Sequence, residues 1–304
     1  MTSLYLMDAG SAGTLARHGH ALKEGDPLHL FPFQKRIFRA FFPPDVPILP
    51  YRTCCFSTIK KCLGLGTRVL CSDLRWRPVE KLKVGDWLIG FDEHAAMHKA
   101  KSRRFYRMSQ VTHTGIRTMP VRHLHLADGT VMTASREHKW LNRRRGSGNI
   151  KWMMTSDLRV GDWLSRYLEP WDEDKSYDAG YVAGAFDGEG HLKPSMSEIS
   201  LAQKNNPLFS AVVDKMERDN FVMWKGIQRG FYKGKDYRLA LLRISKMSEV
   251  LRLLGQYRPK RLLEKAFLHL GKEQRRLRRL GDVEIVRIEE GEAPVVTLGT
   301  STET

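Results

Sequence analysis

The apolar positions change their period along the chain. In Val121-Arg122-His123-Leu124-His125-Leu126 they alternate with polar ones, which predicts a half-buried strand. Asp128-Gly129 then reads as a hairpin turn, and Thr130-Val131-Met132-Thr133-Ala134 as the returning strand. Residues 67–70 and 87–91 give further short strands, and 283–288 and 293–298 give two more near the end. A Leu-x-Val-Gly-Asp phrase occurs twice, at 82–86 and 158–162, and predicts repeated hairpins. After Pro170 and the acidic stretch Asp172-Glu173-Asp174, read as a linker, the period becomes helical. Residues 181–190 and 207–216 predict helices, with a strand at 200–204. Before residue 61 the pattern is thinner. Phe33, Ile37, Phe38 and Phe41 share a helical face that Pro43-Pro44 ends, and 51–59 reads as a buried strand.

Charge narrows the partners. The 304 residues carry 51 Lys and Arg against 34 Asp and Glu, a net +17 at pH 7. An excess of that size favours a polyanion, nucleic acid before acidic membrane. Four cysteines, two of them adjacent, make no disulfide framework, and no apolar run approaches membrane-spanning length. Those features predict a reducing, cytoplasmic setting and no membrane partner. Arg229, Lys233, Lys235 and Arg238, with Lys225, interleave with Phe231, Tyr232 and Tyr237 in a β-hairpin suited to a DNA groove. The basic stretches 99–107 and 272–279 suit phosphates or plain solvated surface. His123 and His125 share a strand face and read as structural rather than metal-binding, and Cys71 as core.

Cys62-Leu63-Gly64-Leu65-Gly66-Thr67, the Val-Gly-Asp phrase and residues 128–141 resemble the N-terminal splicing blocks of an intein. Ser135-Arg136-Glu137-His138 stands where that family has Thr-x-x-His, and the serine keeps the hydroxyl. The resemblance implies a flattened β horseshoe, the Hint fold. It also implies that the Cys62 thiol attacks the Lys61 carbonyl to make a thioester, helped by Ser135 and His138, with no cofactor.

Val182-Ala183-Gly184-Ala185-Phe186-Asp187-Gly188-Glu189-Gly190 resembles the LAGLIDADG motif of homing endonucleases, and residues 258–263 resemble a phrase common in intein-borne members. Gly184 and Gly188 lie four apart on one helix face, where two backbones can pack closely. The resemblance implies that Glu189 is the metal-binding acid, with Mg²⁺ or a similar divalent cation. Asp187 would support the turn, and Gln203 and Lys204 would stand behind the site. One motif copy implies a homodimer on double-stranded DNA.

The resulting expectation is an α+β chain in four parts. Residues 1–61 resemble the start of a phage terminase large subunit, the packaging ATPase, without its phosphate loop. Residues 62–170 form an all-β splicing region, 171–277 an inserted α/β endonuclease, and 278–304 the returning splicing strands. The chain stops at Thr304 without the family's terminal His-Asn, so splicing is expected to remain unfinished within it. The alternatives are a DNA-binding element without activity, or a fragment of the packaging ATPase.

Overall fold

The structure, a computed structural model, describes residues 61–302 apart from 99–100, 144–149, 271–275 and 277. The readings for residues 1–60, including the terminase resemblance, lie outside the described residues. Residues 59–304 form one compact unit.

Most of it is β-sheet. Strands β1 (Lys61–Gly64), β2 (Arg68–Leu70), β3 (Trp76–Pro78) and β4 (Trp87–Phe91) come first. The next two, β5 (Ala96–His98) and β6 (Lys101–Arg103), pair antiparallel with each other. Strand β7 runs 21 residues, Tyr106–Leu126, followed by β8 (Val131–Ser135), β9 (Lys139–Arg143), β10 (Ile150–Met154) and β11 (Trp163–Arg166). The last strand, β16, is a single 20-residue element, Gly281–Thr300, not two. Pro120 and Pro294 sit inside the β7–β16 ribbon, and the polar run Glu289-Glu290-Gly291-Glu292 is what makes the sequence read as two strands there.

The large sheet has the order β10-β9-β11-β16-β1-β8-β7-β4, and β16 also pairs β7. That extra pairing closes a circuit. β1 joins β16 on one side and β8 on the other, while β7 joins the far edges of both. Gly64 permits the approach of β1 to β8, since a Cβ there would meet the Thr133 Cβ at 2.6 Å.

The two Val-Gly-Asp phrases fold alike. Each follows a 3-10 turn, Val79–Lys81 or Thr155–Asp157. Gly85 and Gly161 take φ of 96° and 88°, a region open to glycine at little strain. Asp86 Oδ2 accepts from Lys83 N and Asp162 Oδ2 from Arg159 N, both at 2.9 Å. The first loop then docks on Val111 of β7, and the second on Ile285 of β16.

Between β11 and β16 the chain makes an excursion. It leaves and returns at paired residues, Arg166 opposite Gly281. The excursion holds α1 (Tyr177–Glu189), β12 (Gly190–Leu192), β13 (Ile199–Gln203) and α2 (Pro207–Arg218). It continues through β14 (Trp224–Tyr232), β15 (Lys235–Ile244), α3 (Met247–Gln256) and α4 (Lys260–His269). Its sheet has the order β12-β13-β15-β14, all antiparallel.

The expected boundary at residue 170 does not divide the core. Leu70 and Leu74, beside β2 and β3, are buried in one cluster with Trp171, Phe186, Leu242 and Leu254. Gly255 is the contact point, because a Cβ there would meet Trp171 Nε1 at 2.2 Å and the Leu74 carbonyl at 2.6 Å. The acidic stretch is a strap rather than a free linker. Asp172 pairs with Arg68 at 2.6 Å, Glu173 with Arg75 at 2.9 Å and Asp174 with Lys215 at 2.7 Å.

Candidate functional site

Cys62 is the second residue of β1, inside the closed circuit. It stands directly opposite Thr297 of β16 and packs against Val121 and Val295. Its side chain is 5% exposed. The thiol shares a hydrogen bond with Ser135, itself buried at the end of β8. Burial pushes the thiol above its ordinary pKa and Glu137 adds to that, whereas the Ser135 hydrogen bond and Arg117 pull the other way.

Ser135 to His138 is a four-residue turn, closed by His138 N donating to the Ser135 carbonyl at 3.1 Å. The spacing of serine and histidine is therefore the spacing of turn ends. The His138 ring meets Trp140 edge-on at 4.6 Å, and the His138 carbonyl accepts from Thr155 N at 2.8 Å. Thr297 carries no signal in the sequence. It is buried, faces Cys62, and donates through Oγ1 to the Gly115 carbonyl at 3.0 Å. Only the register of β1 on β16 reveals it.

His123 Nδ1 lies 2.8 Å from Thr133 Oγ1, and His125 Nε2 2.9 Å from Glu289. Among the described residues no group of three or more His, Cys, Asp or Glu is placed to hold a metal ion. Cys71 is buried in the core beside β2, and burial pushes its thiol up to about 11.

Helix α1 starts at Ser176, whose Oγ accepts from Ala179 N at 3.2 Å. Ala179, Val182, Ala185 and Phe186 face the core. The opposite face is exposed, with Tyr177, Gly180, Tyr181, Gly184 and Gly188 along it. A Cβ at any of those three glycines would meet nothing within 4 Å. Gly190 differs, since a Cβ there would strike the Phe186 carbonyl at 2.3 Å. Glu189, at the end of the helix, is exposed.

Asp187 turns inward. Its carboxylate accepts from Lys260 N at 2.7 Å and Arg261 N at 2.9 Å, so it caps α4 from another element. Pro259, at the cap position itself, makes no side-chain cap bond. Arg261 reciprocates by donating to the Phe186 carbonyl at 3.0 Å and the Gly190 carbonyl at 2.7 Å. The sequence phrase around Arg261 is thus half of a lock on the end of α1. Continuing the β12–β13 register sets Glu189 level with Ala202, beside Gln203, the last residue of β13, and Lys204 just past it. The Gln203 Oε1 accepts from Lys204 N at 2.8 Å.

Strands β14 and β15 form the expected hairpin. Its tip is Lys233-Gly234, both at positive φ (49° and 76°), as a two-residue hairpin turn requires. The sequence treats its cations as one surface, but the register divides them. Lys225 lies opposite Leu242 and, with Arg229 and Arg238, belongs to the face that carries the buried leucine. Lys225 is also paired with Glu217 of α2. The open face carries Trp224, Gln228, Lys235, Tyr237 and Arg243. There the Arg243 guanidinium lies over the Trp224 ring at 5.4 Å. Trp224 covers Gly226, and Tyr237 covers Gly230, whose Cβ would strike the ring at 2.3 Å.

No protein-family model matches the chain, and no curated protein does. Among solved structures, the chain is similar to the solution structure of a bacterial intein-like domain from Clostridium thermocellum. The two share 20% identity and a TM-score of 0.26, over 35% of this chain and 67% of that one.

Proposed function

We propose that this chain joins a self-processing thiol centre at Lys61–Cys62 to a metal-dependent DNA endonuclease in residues 171–269. The observation that carries the first part is the buried Cys62 thiol, hydrogen-bonded to Ser135 at one end of the turn that holds His138. In the reaction the thiol gives up its proton and sulfur bonds to the Lys61 carbonyl carbon. The C–N bond then breaks, and the freed Cys62 amine takes a proton for which His138 is the nearby donor. A thiol pKa raised by burial leaves the nucleophile mostly protonated at neutral pH, so the step needs a base or a higher pH.

Helix α1 supports the second part. Three glycines on one exposed face cost a helix roughly 2–3 kcal/mol relative to alanine. Among the described residues nothing occupies the space their missing side chains leave. A second copy of the same helix, packed backbone to backbone, accounts for all three and brings two Glu189 carboxylates together. One chain offers one free carboxylate, because Asp187 is engaged on α4. Mg²⁺ takes about six oxygens, often several from water, so the fit is to the pair of Glu189 side chains in a homodimer. The ion would supply charge neutralisation at phosphate. The open face of the four-stranded sheet, with the basic hairpin tip, is the surface for double-stranded DNA. On the hairpin's other face, beyond the covered part of the sheet, Arg229 lies directly opposite Arg238, an exposed like-charge pair that an anion relieves.

Both parts are tested on the full chain. Excess dithiothreitol should release the fragment ending at Lys61, seen by mass spectrometry, and Cys62→Ala should abolish release. With Mg²⁺ and a randomised duplex library, the wild type should cut and Glu189→Gln should bind without cutting. Wild-type binding with no cleavage would leave a DNA-binding element in place of the nuclease.

A further inference from the structure

Two residues from basic stretches far apart in sequence, Phe105 and Arg276, meet in the fold as an antiparallel bridge. Next to it the Arg104 guanidinium lies over Trp152, 6.0 Å from the ring centre, and Tyr167 sits in the field of both Arg104 and Arg279. Arg143 reaches the same edge from β9 and lies over Trp163 at 5.6 Å.

The acids at this edge, Asp92, Glu93 and Asp282, are mostly covered and already paired, Asp92 with Arg107 at 2.6 Å. Asp282 is 6% exposed and serves two guanidiniums, Arg143 at 2.8 Å and Arg279 at 2.9 Å, which are 34% and 41% exposed. Glu93, also largely covered, takes Lys139 on its carboxylate at 3.3 Å and Arg104 on its carbonyl at 3.3 Å. Arg276 and Arg278 are exposed beyond them. Carboxylates lie beneath and guanidiniums outside, so the edge presents net positive charge in planar, multi-donor groups suited to phosphate.

We infer that this edge of the β-rich region, centred on Arg104, Arg276 and Arg278, is a second surface for duplex DNA that grips phosphates. It extends the DNA-binding half of the proposed function and stands without its cleavage half. Duplex is favoured because the rings here lie under guanidiniums. Single strands use open rings for stacking, and membranes use apolar tips.

The test uses the full chain with Glu189→Gln throughout and a random-sequence duplex, measuring affinity against salt. The triple variant Arg104→Gln/Arg276→Gln/Arg278→Gln should lower the slope of log affinity against log salt by about 2–3, near 0.9 for each phosphate no longer neutralised. Affinity at low salt should fall about tenfold or more. The corresponding triple lysine variant should keep the slope, which separates charge from folding. An unchanged slope in the glutamine variant overturns the inference. So does a loss confined to single-stranded RNA or to phosphatidylserine vesicles. If the lysine variant keeps the slope, the glutamine variant loses it and the wild type cuts no DNA, the nuclease reading falls and this surface stands.

Discussion

The thiol centre and the acid centre of this chain are built in opposite ways. Cys62 is buried within a closed circuit of four strands, opposite Thr297 and packed against Val121 and Val295. Glu189 ends a helix whose outer face is bare glycine and tyrosine, with its neighbouring acid already used. On the proposed reading, the thiol centre is buried within one chain, and the acid centre is exposed and is completed by a second copy. Reactions on the chain's own backbone and on an external polymer call for that difference. A peptide bond to be broken within the fold must be held still, whereas a site for DNA must be open and is completed by what binds to it.

The largest effect is expected at the finished centre. His138→Gln should slow thiol-dependent release at Lys61–Cys62 by roughly 10²–10⁴-fold, the usual worth of a positioned proton donor. DNA binding should not change. The wild-type release rate should go on rising with pH past the ordinary thiol range, because burial raises the Cys62 pKa and the thiolate is the attacking form. A rate that levels off near neutral pH would remove the buried-thiol account.

The open centre depends on one turn of backbone. Gly190→Ala forces a Cβ against the Phe186 carbonyl and should cost about 1–3 kcal/mol in urea unfolding. Gly184→Ala meets only solvent within this chain and should raise monomer stability while weakening any dimer, read by sedimentation. Equal effects from the two substitutions would mean that α1 has no free face. Asp187→Ala strips the borrowed cap from α4 and should cost about 1 kcal/mol, with Asp187→Asn recovering part of it.

How much of this was legible depended on whether the cause was local. The Val-Gly-Asp loops could be read because a positive-φ glycine and a capping aspartate act within four residues. The β14–β15 hairpin and the apolar face of α2 were legible for the same reason. The strand circuit around Cys62 was not, since it depends on β16 returning from the far end of the chain to pair with β1. The polar run Glu289-Glu290-Gly291-Glu292 makes β16 read as two pieces, although it pairs with β7 throughout. In the sequence Asp187 reads as a support for its own turn, and its actual partner, the start of α4, lies beyond any local pattern. The hairpin cations were seen, while their division between two faces needed the register. The sequence boundary at 170 failed because Leu70 and Leu74 extend the helical core backwards across it.

The smallest effect belongs to the strap between the two regions. Asp174 takes a hydrogen bond from Lys215 at 2.7 Å and another from Ser176 N at 2.9 Å, which hold its carboxyl down to about 2 from an ordinary 3.8. A depressed carboxylate stabilises the fold above its unfolded pKa, and that contribution fades as pH falls from about 4 to about 2. Asp174→Asn should therefore melt lower than wild type at pH 6, and the gap should narrow as pH drops through that window. Lys215 also pairs with Asp219 at 3.0 Å, so the asparagine leaves the ammonium partly matched and the gap small. A gap that stays constant with pH would show that the strap holds by packing of Trp171 on Leu74 and Gly255 rather than by charge. The two regions would then be joined through their shared core alone.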